Sequence, residues 1–249
     1  MQYSGILRPW AVLVWLLIWQ VGSAALDQQI LLVSPIQVLA RLGAFAVQPQ
    51  FWKAVGFSML RITGGFILGS AAGTALAALS AKLPLAEDFL APLLLTIKSI
   101  PVASFIIFSL ILFSSSNLSV LISFLMVLPV LYSGVLGGIR AMDSQMLEMA
   151  QLFRIPTLRR IRYVYLPQVL SYFQAACASA LGFCWKFGIA AEVIGMPTGS
   201  IGERLQQAKV YLDTPDLFAW TLVIVLVSLV FERFFLSLLK LAARYLERM

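Results

Sequence analysis

No histidine occurs anywhere in this chain. That excludes a His-ligated metal site and any nucleophile activated by a histidine base. No G-x-x-x-x-G-K-[ST] pattern occurs either, so the chain has no P-loop of its own. Cysteine is nearly absent, with only Cys177 and Cys184. On one helix their seven-residue separation is about 10 Å of rise, too far for a disulfide, and both read as small apolar packing residues. Charge is the other scarcity: Asp, Glu, Lys and Arg make up 12% of the 249 residues, about half the share of a soluble domain.

What replaces charge is apolar surface. Hydrophobic residues make up 61% of the chain and mean hydropathy is +0.92, which points to an integral membrane protein. Pro9–Leu26, Ile62–Ala81 and Tyr163–Trp185 carry no charged residue, and Ser99–Ile139 is uncharged over a length that could cross twice around Ser114–Asn117. A crossing needs about 20 residues of helix. The runs predict an all-α integral membrane protein with six transmembrane helices, at 10–26, 56–81, 88–113, 118–139, 166–192 and 217–239. One transmembrane domain is expected over residues 1–249. The first run has the order of a secretory signal but reads as a first membrane helix, because five further spans follow.

Six spans put both termini on one side. With the termini in the cytoplasm, that side receives Arg8, Lys82, Arg140, Arg154, Arg159, Arg160, Arg162, Lys240, Arg244 and Arg248. The opposite side receives Arg41, Lys53, Arg204 and Lys209. This is a positive-inside bias, so the net charge of +7 reports topology and not nucleic-acid binding. Two outer segments read as helices lying along the membrane surface. One is opened by Ser34-Pro35 as cap and first turn. The other is opened by the capping-box form Ser200–Glu203, with Ile201, Leu205, Ala208 and Leu212 at helical spacing.

In the second span, Gly65, Gly69, Gly73 and Ala77 fall every fourth residue. They form one small-residue face that lets another backbone come close, in this chain or in a second subunit.

Charge concentrates at 148–162, within EMAQLFRIPTLRRIRYVYLP (148–167). Asp143 can cap a helix running to about Phe153. Ile155-Pro156 breaks that helix, and Thr157 to about Tyr165 forms a second, basic turn before Leu166-Pro167 opens the fifth span. One reading gives Arg159, Arg160 and Arg162 to lipid phosphates. The other takes the apolar face of Met146, Leu147, Ala150 and Leu152 as a docking knob for a soluble partner. From these residues alone both stand.

The segment resembles the EAA loop of the transmembrane subunits of bacterial type I ABC importers: E-A-A, three residues, G, nine residues, I-x-L-P. Here Glu148-Met149-Ala150, Arg154 and Val164-Tyr165-Leu166-Pro167 keep the spacing, with Met149 at the middle alanine and Arg154 at the glycine. Ser34-Pro35, Ser58, Arg61, the Gly64-Gly65-Phe66 entry, Lys98-x-Ile-Pro101 and Ala191-Glu192 resemble the nitrate, sulfonate, taurine and bicarbonate branch. Leu112–Ser115 stands where that branch carries Trp-Phe-Gly.

The resemblance implies a non-catalytic permease subunit in the bacterial cytoplasmic membrane, with both termini cytoplasmic and a second copy as its partner in a homodimer. Two P-loop ATPase subunits would bind the ATP and Mg, since this chain holds no cofactor. A binding protein would deliver a small, anionic solute from outside, and membrane lipids would surround the spans. Met146, Leu147, Glu148, Met149, Ala150, Leu152, Arg154, Leu166 and Pro167 would carry coupling to the ATPase. Because arginine tolerates a left-handed backbone poorly, an ordinary helical or 3₁₀ exit is expected at Arg154.

Lys98, Lys186 and Glu192 lie in or near spans, where ionisable groups usually face an interior or a water pathway. They read either as lining for an anion's route or as a Lys–Glu structural pair and snorkelling lysines. A self-sufficient secondary transporter or channel is the alternative function, although no internal repeat favours it. A membrane enzyme would need convergent catalytic groups that the spans do not supply.

Overall fold

The computed structural model describes residues 9–26 and 32–247, apart from the side chains at positions 9, 144, 147, 151, 157, 158, 162, 164 and 245–247. Arg8 and Arg248, counted above in the charge bias, lie outside the described residues. The described helices are α1 (Pro9–Leu26), α2 (Pro35–Ala46), α3 (Pro49–Lys82), α4 (Pro84–Ser99), α5 (Val102–Leu112), α6 (Ser115–Arg140), α7 (Ser144–Leu152), α8 (Thr157–Arg160), α9 (Leu166–Gly195), α10 (Ile201–Val210) and α11 (Thr214–Glu247). A π turn, Ile161–Tyr165, joins α8 to α9.

The core is a slab of α3, α6 and α9, and small residues set its geometry. A Cβ at Gly65 would stand 2.5 Å from the Val120 carbonyl oxygen, and one at Gly73 would stand 2.7 Å from that of Leu128. Residue numbers rise together, so α3 and α6 are parallel and the glycine face meets a helix of the same chain. Against α6, α9 runs the other way: Gly138 faces Tyr172 and Gly188 faces Ser123. Ring contacts place α11 parallel to α3, with Phe51–Trp220 centroids 5.4 Å apart and Phe66–Phe235 centroids 4.9 Å apart.

The expectation of six membrane helices is corrected. Among the described residues, four helices are long and apolar enough to cross a bilayer: α3, α6, α9 and α11. A fifth crossing comes only from α4 and α5 taken together, a pair bent by 105°. Parallel α3 and α6 require the chain between them to return across the layer, and this bent pair is the return. The sequence reading of 88–113 as one straight span failed at Ile100-Pro101. Proline disfavours a helical predecessor, and Ile100 is extended, at φ −72° and ψ 130°. The first expected span also falls short: Trp10–Leu26 ranks with the shorter apolar helices, below the ~20 residues of a full crossing.

At the end of the slab away from α7, two short helices dock on the bundle. Ser34 and Gln37 form a reciprocal capping box at the start of α2. Arg41 on α2 hydrogen-bonds Asp216 at the start of α11 and lies 3.6 Å from Asp213. The Asp216 bond raises the Arg41 pKa further and keeps the guanidinium charged. In α10, Ser200 caps the Glu203 N–H at 2.9 Å, while the Glu203 carboxylate accepts from Gly199 N–H instead of the cap residue. Ile201 and Ala208 are buried, and α10 packs on α9 and α11. The face expected to lie along the membrane thus turns into the protein. Leu212 does not continue it: it is 72% exposed and left-handed at φ 57°, beyond the helix end.

Candidate functional site

The elbow between α6 and α9 is built as a short capped helix. Asp143 accepts from the Gln145 N–H at 2.9 Å, which starts α7 where the sequence reading placed its cap. Gln168, in the first turn of α9, ties the elbow down from the other side. Its carbonyl accepts from the Asp143 N–H at 3.3 Å, and its amide reaches the Met146 sulfur at 3.1 Å. At the same end of the bundle, Arg140 pairs with Glu87 of α4. Ala150 is 1% exposed, whereas Leu152 and Phe153 are 81% and 71% exposed. Glu148 and Met149 also face outward. The Leu147 side chain is outside those described. The result is a polar helix with an apolar tip, anchored to the spans and open on its outer side.

The exit of α7 overturns the expectation of an ordinary turn at Arg154, because Arg154 is left-handed, at φ 51°. The Ile155 N–H reaches back to the Ala150 carbonyl at 3.0 Å, which is the six-to-one bond of a Schellman motif. Arg154 stands at the position where glycine is usual, and the following Ile155-Pro156 stops the chain from continuing as helix. A non-glycine residue there carries roughly 1–2 kcal/mol of backbone strain. Arg154→Gly is therefore expected to stabilise the protein by about 1 kcal/mol. Thermal unfolding in detergent checks this, with the midpoint rising and no change in helix content.

Beyond the break, α8, the π turn and α9 form one continuous rod. The π turn has a cause in Pro167, whose ring would collide with the carbonyl four residues back in a regular α-helix. Widening to i→i+5 bonding relieves this, and the Leu166 N–H accordingly bonds the Ile161 carbonyl. Leu166 and Pro167 are both exposed at the mouth of this turn.

The three membrane-depth charges are not brought together. Lys98 sits in the last turn of α4, just before the bend, and its ammonium donates to Ser133 of α6 at 2.9 Å. Lys186 is exposed on α9. Glu192 is fully enclosed. Ser58 of α3 donates to its Oε2 at 2.6 Å, and the Gly202 N–H of α10 lies 3.3 Å from the same oxygen. No Lys–Glu pair forms among the described residues, so the structural-pair reading fails for Glu192. The residues the sequence reading missed here are Ser119 and Gly202; no spacing rule connects them to Glu192.

Above this node lies a cavity of about 570 Å³, within the range of small-molecule sites. Its lining includes Arg41 and Phe45 of α2, Arg204 and Gln207 of α10, and Trp220 of α11.

A family model described as "Binding-protein-dependent transport system inner membrane component" matches residues 65–247. The chain is also similar to three permeases along most of their lengths. It is 24% identical over 234 residues to the "Putative aliphatic sulfonates transport permease protein SsuC" of Bacillus subtilis, covering 93% of this chain and 83% of that one. It is 26% identical over 224 residues to the "Probable ABC transporter permease protein BMEII0107" of Brucella melitensis, covering 88% and 87%. With the "Nitrate import permease protein NrtB" of Synechococcus elongatus it shares 24% identity over 200 residues, covering 76% and 71%.

Proposed function

Since this chain belongs to the family of binding-protein-dependent transport system inner membrane components, we propose that α7 is the handle by which a separate ATPase drives it. The chain is a non-catalytic permease subunit of an ABC-type transporter and moves a small solute across a membrane. That membership displaces the reading as a self-sufficient transporter. In the finer reading, residues 1–249 act as one permease domain, and a second copy completes the pathway. Two ATPase subunits grip the two elbows from the cytoplasm and switch the pathway between inward- and outward-open states. A binding protein delivers the solute at the end that carries α2 and α10.

One observation carries this reading: α7 is locked to the spans by Gln168 and Asp143, yet exposes Glu148, Met149, Leu152 and Phe153. A segment held only to satisfy membrane topology needs neither the cap nor an exposed apolar tip. Of the nine coupling residues, Ala150 and Arg154 shape the elbow, while Leu166 and Pro167 set its junction with α9.

The names of the relatives point to a small anion, an aliphatic sulfonate or nitrate. We assign to Lys98, at the broken return between α3 and α6, the role of making the route attractive to it. Lys186 is a second cation for that route. Lys98→Met tests the assignment in proteoliposomes with the ATPase and binding protein present. Uptake of radiolabelled ethanesulfonate or nitrate is expected to fall about tenfold while the complex still assembles. Unchanged uptake of a probe that the unaltered protein transports would remove Lys98 from the route.

A further inference from the structure

Glu192 is the one fully buried carboxylate among the described residues, and its surroundings are unusual. Burying such a group is costly unless hydrogen bonds and positive potential compensate. For Oε2 both are supplied by the first turn of α10, while Oε1 has no hydrogen-bond partner among the described residues. The Gly202 N–H points at the carboxylate directly, and the Ile201 N–H donates to Ser58 Oγ at 2.9 Å. Ser58 passes its own proton donation on to Glu192. The amino end of α10, positive by its backbone dipole, is thereby fastened to α9 and α3 at once.

The backbone is fitted to this fastening. A Cβ at Gly202 would stand 2.3 Å from the Glu192 Cβ and 2.5 Å from the Val193 backbone nitrogen. Only glycine lets α10 lie this close. Ser119 of α6 is fully buried near the carboxylate, and its hydroxyl has no hydrogen-bond partner among the described residues. At its other end, the rod that carries Glu192 begins at Thr157, immediately beyond the elbow break, and runs without interruption through the π turn to Gly195. Its length is roughly 58 Å at 1.5 Å per residue, enough to connect the two faces of the membrane.

We propose that Glu192 is a positioning residue that makes α10 a rigid extension of α9. Displacement of the elbow then reaches the far surface as displacement of α10. The moving element carries Arg204 and Gln207, so the wall of the outer cavity that they form shifts against Arg41 and Phe45 of α2. The outer cavity therefore changes shape in step with the state of the ATPase. This rests on the reading of α7 as the ATPase's handle.

The test is a pair of distances measured by spin labels in the complete transporter, with and without ATP and vanadate. Labels at Ile194 and Lys209, both exposed, span the α9–α10 junction. Labels at Gln37 and Lys209 span the cavity. In the unaltered protein the first distance is expected to stay fixed and the second to change with nucleotide. In Glu192→Ala the first distance becomes nucleotide-dependent, and the ATP hydrolysed per solute transported rises roughly tenfold, a usual magnitude for coupling between sites. A purely structural role would lower hydrolysis and transport together and leave that ratio alone.

Gly202→Ala, which keeps the carboxylate but lifts α10 off it, is expected to give the same result and serves if Glu192→Ala does not assemble. The proposal is overturned if the junction distance stays fixed in the variants, or if the ratio does not move. It is also overturned if neither distance responds to nucleotide while the ATPase is bound. If instead the unaltered permease fails to bind any ATPase through α7, the handle reading itself fails.

Discussion

Glu148→Arg is expected to leave the permease folded and inserted but unable to hold its ATPase, with ATP-driven uptake falling at least about tenfold. Glu148 is exposed in the middle of α7 and has no hydrogen bond or ion pair among the described residues. Substitution at such a position changes stability by only about 0.5 kcal/mol. In a docked interface the same reversal opposes like charges, which costs several kcal/mol. The effect should therefore appear in association and not in folding. Co-purification of the two subunits reads it, with detergent melting curves as the control. Phe153→Ala is expected to weaken association too, by removing the 71% exposed ring at the elbow tip, since buried aromatic anchors dominate interfaces. Retained ATPase binding in Glu148→Arg would mean that α7 is not the handle.

Gly69→Leu carries the largest expected loss of stability. The Cβ of any residue at 69 would lie 2.8 Å from the Phe124 carbonyl oxygen and 2.9 Å from the Val127 Cβ. Neither can give way without moving α6, because one is backbone and the other is the root of a β-branched side chain. Overpacking of this kind costs about 3 kcal/mol or more, expected as a fall of roughly 6–12 °C in the melting midpoint. Gly64, five residues earlier on the same helix, has nothing within 4 Å of its would-be Cβ. Gly64→Ala is therefore expected to be neutral or to stabilise by up to about 1 kcal/mol. Equal effects at the two positions would mean that the ridge does not pack on α6.

Much of this architecture could be read in the chain because its signals are local. Four-residue spacing made the α3 ridge visible, Asp143 marked the start of α7, and Ser34-Pro35 marked α2. A second small-residue ridge with the same spacing stands on α6. Gly134 and Gly138 on α6 keep the same spacing and face Ala176 and Tyr172 of α9. What failed was length reasoning. An uncharged run says that lipid tolerates a segment, not that the segment is straight, and Ile100-Pro101 breaks one run into two helices meeting at 105°.

Arg154 failed for a different reason. Side-chain preference disfavours the left-handed turn, but the six-to-one bond from Ile155 and the proline at 156 outweigh it. Leu212 repeats the pattern, with the Asp213 N–H bonded to the Ala208 carbonyl. Ser58 and Glu192 each stood out in the sequence, but not as a contact, since they are 134 residues apart and meet each other and Gly202 only through the packing of α3, α9 and α10.

The central claim is that the elbow faces the compartment of the ATPase and is covered by it. The most direct measurement is labelling of Met149→Cys by a membrane-impermeant maleimide, in right-side-out and inside-out vesicles, with and without the ATPase. Cys177 and Cys184 are both buried and should give little background. Labelling is expected only from the cytoplasmic side, and bound ATPase should suppress it. Labelling from the outer side, or cytoplasmic labelling that the ATPase leaves untouched, would contradict the account.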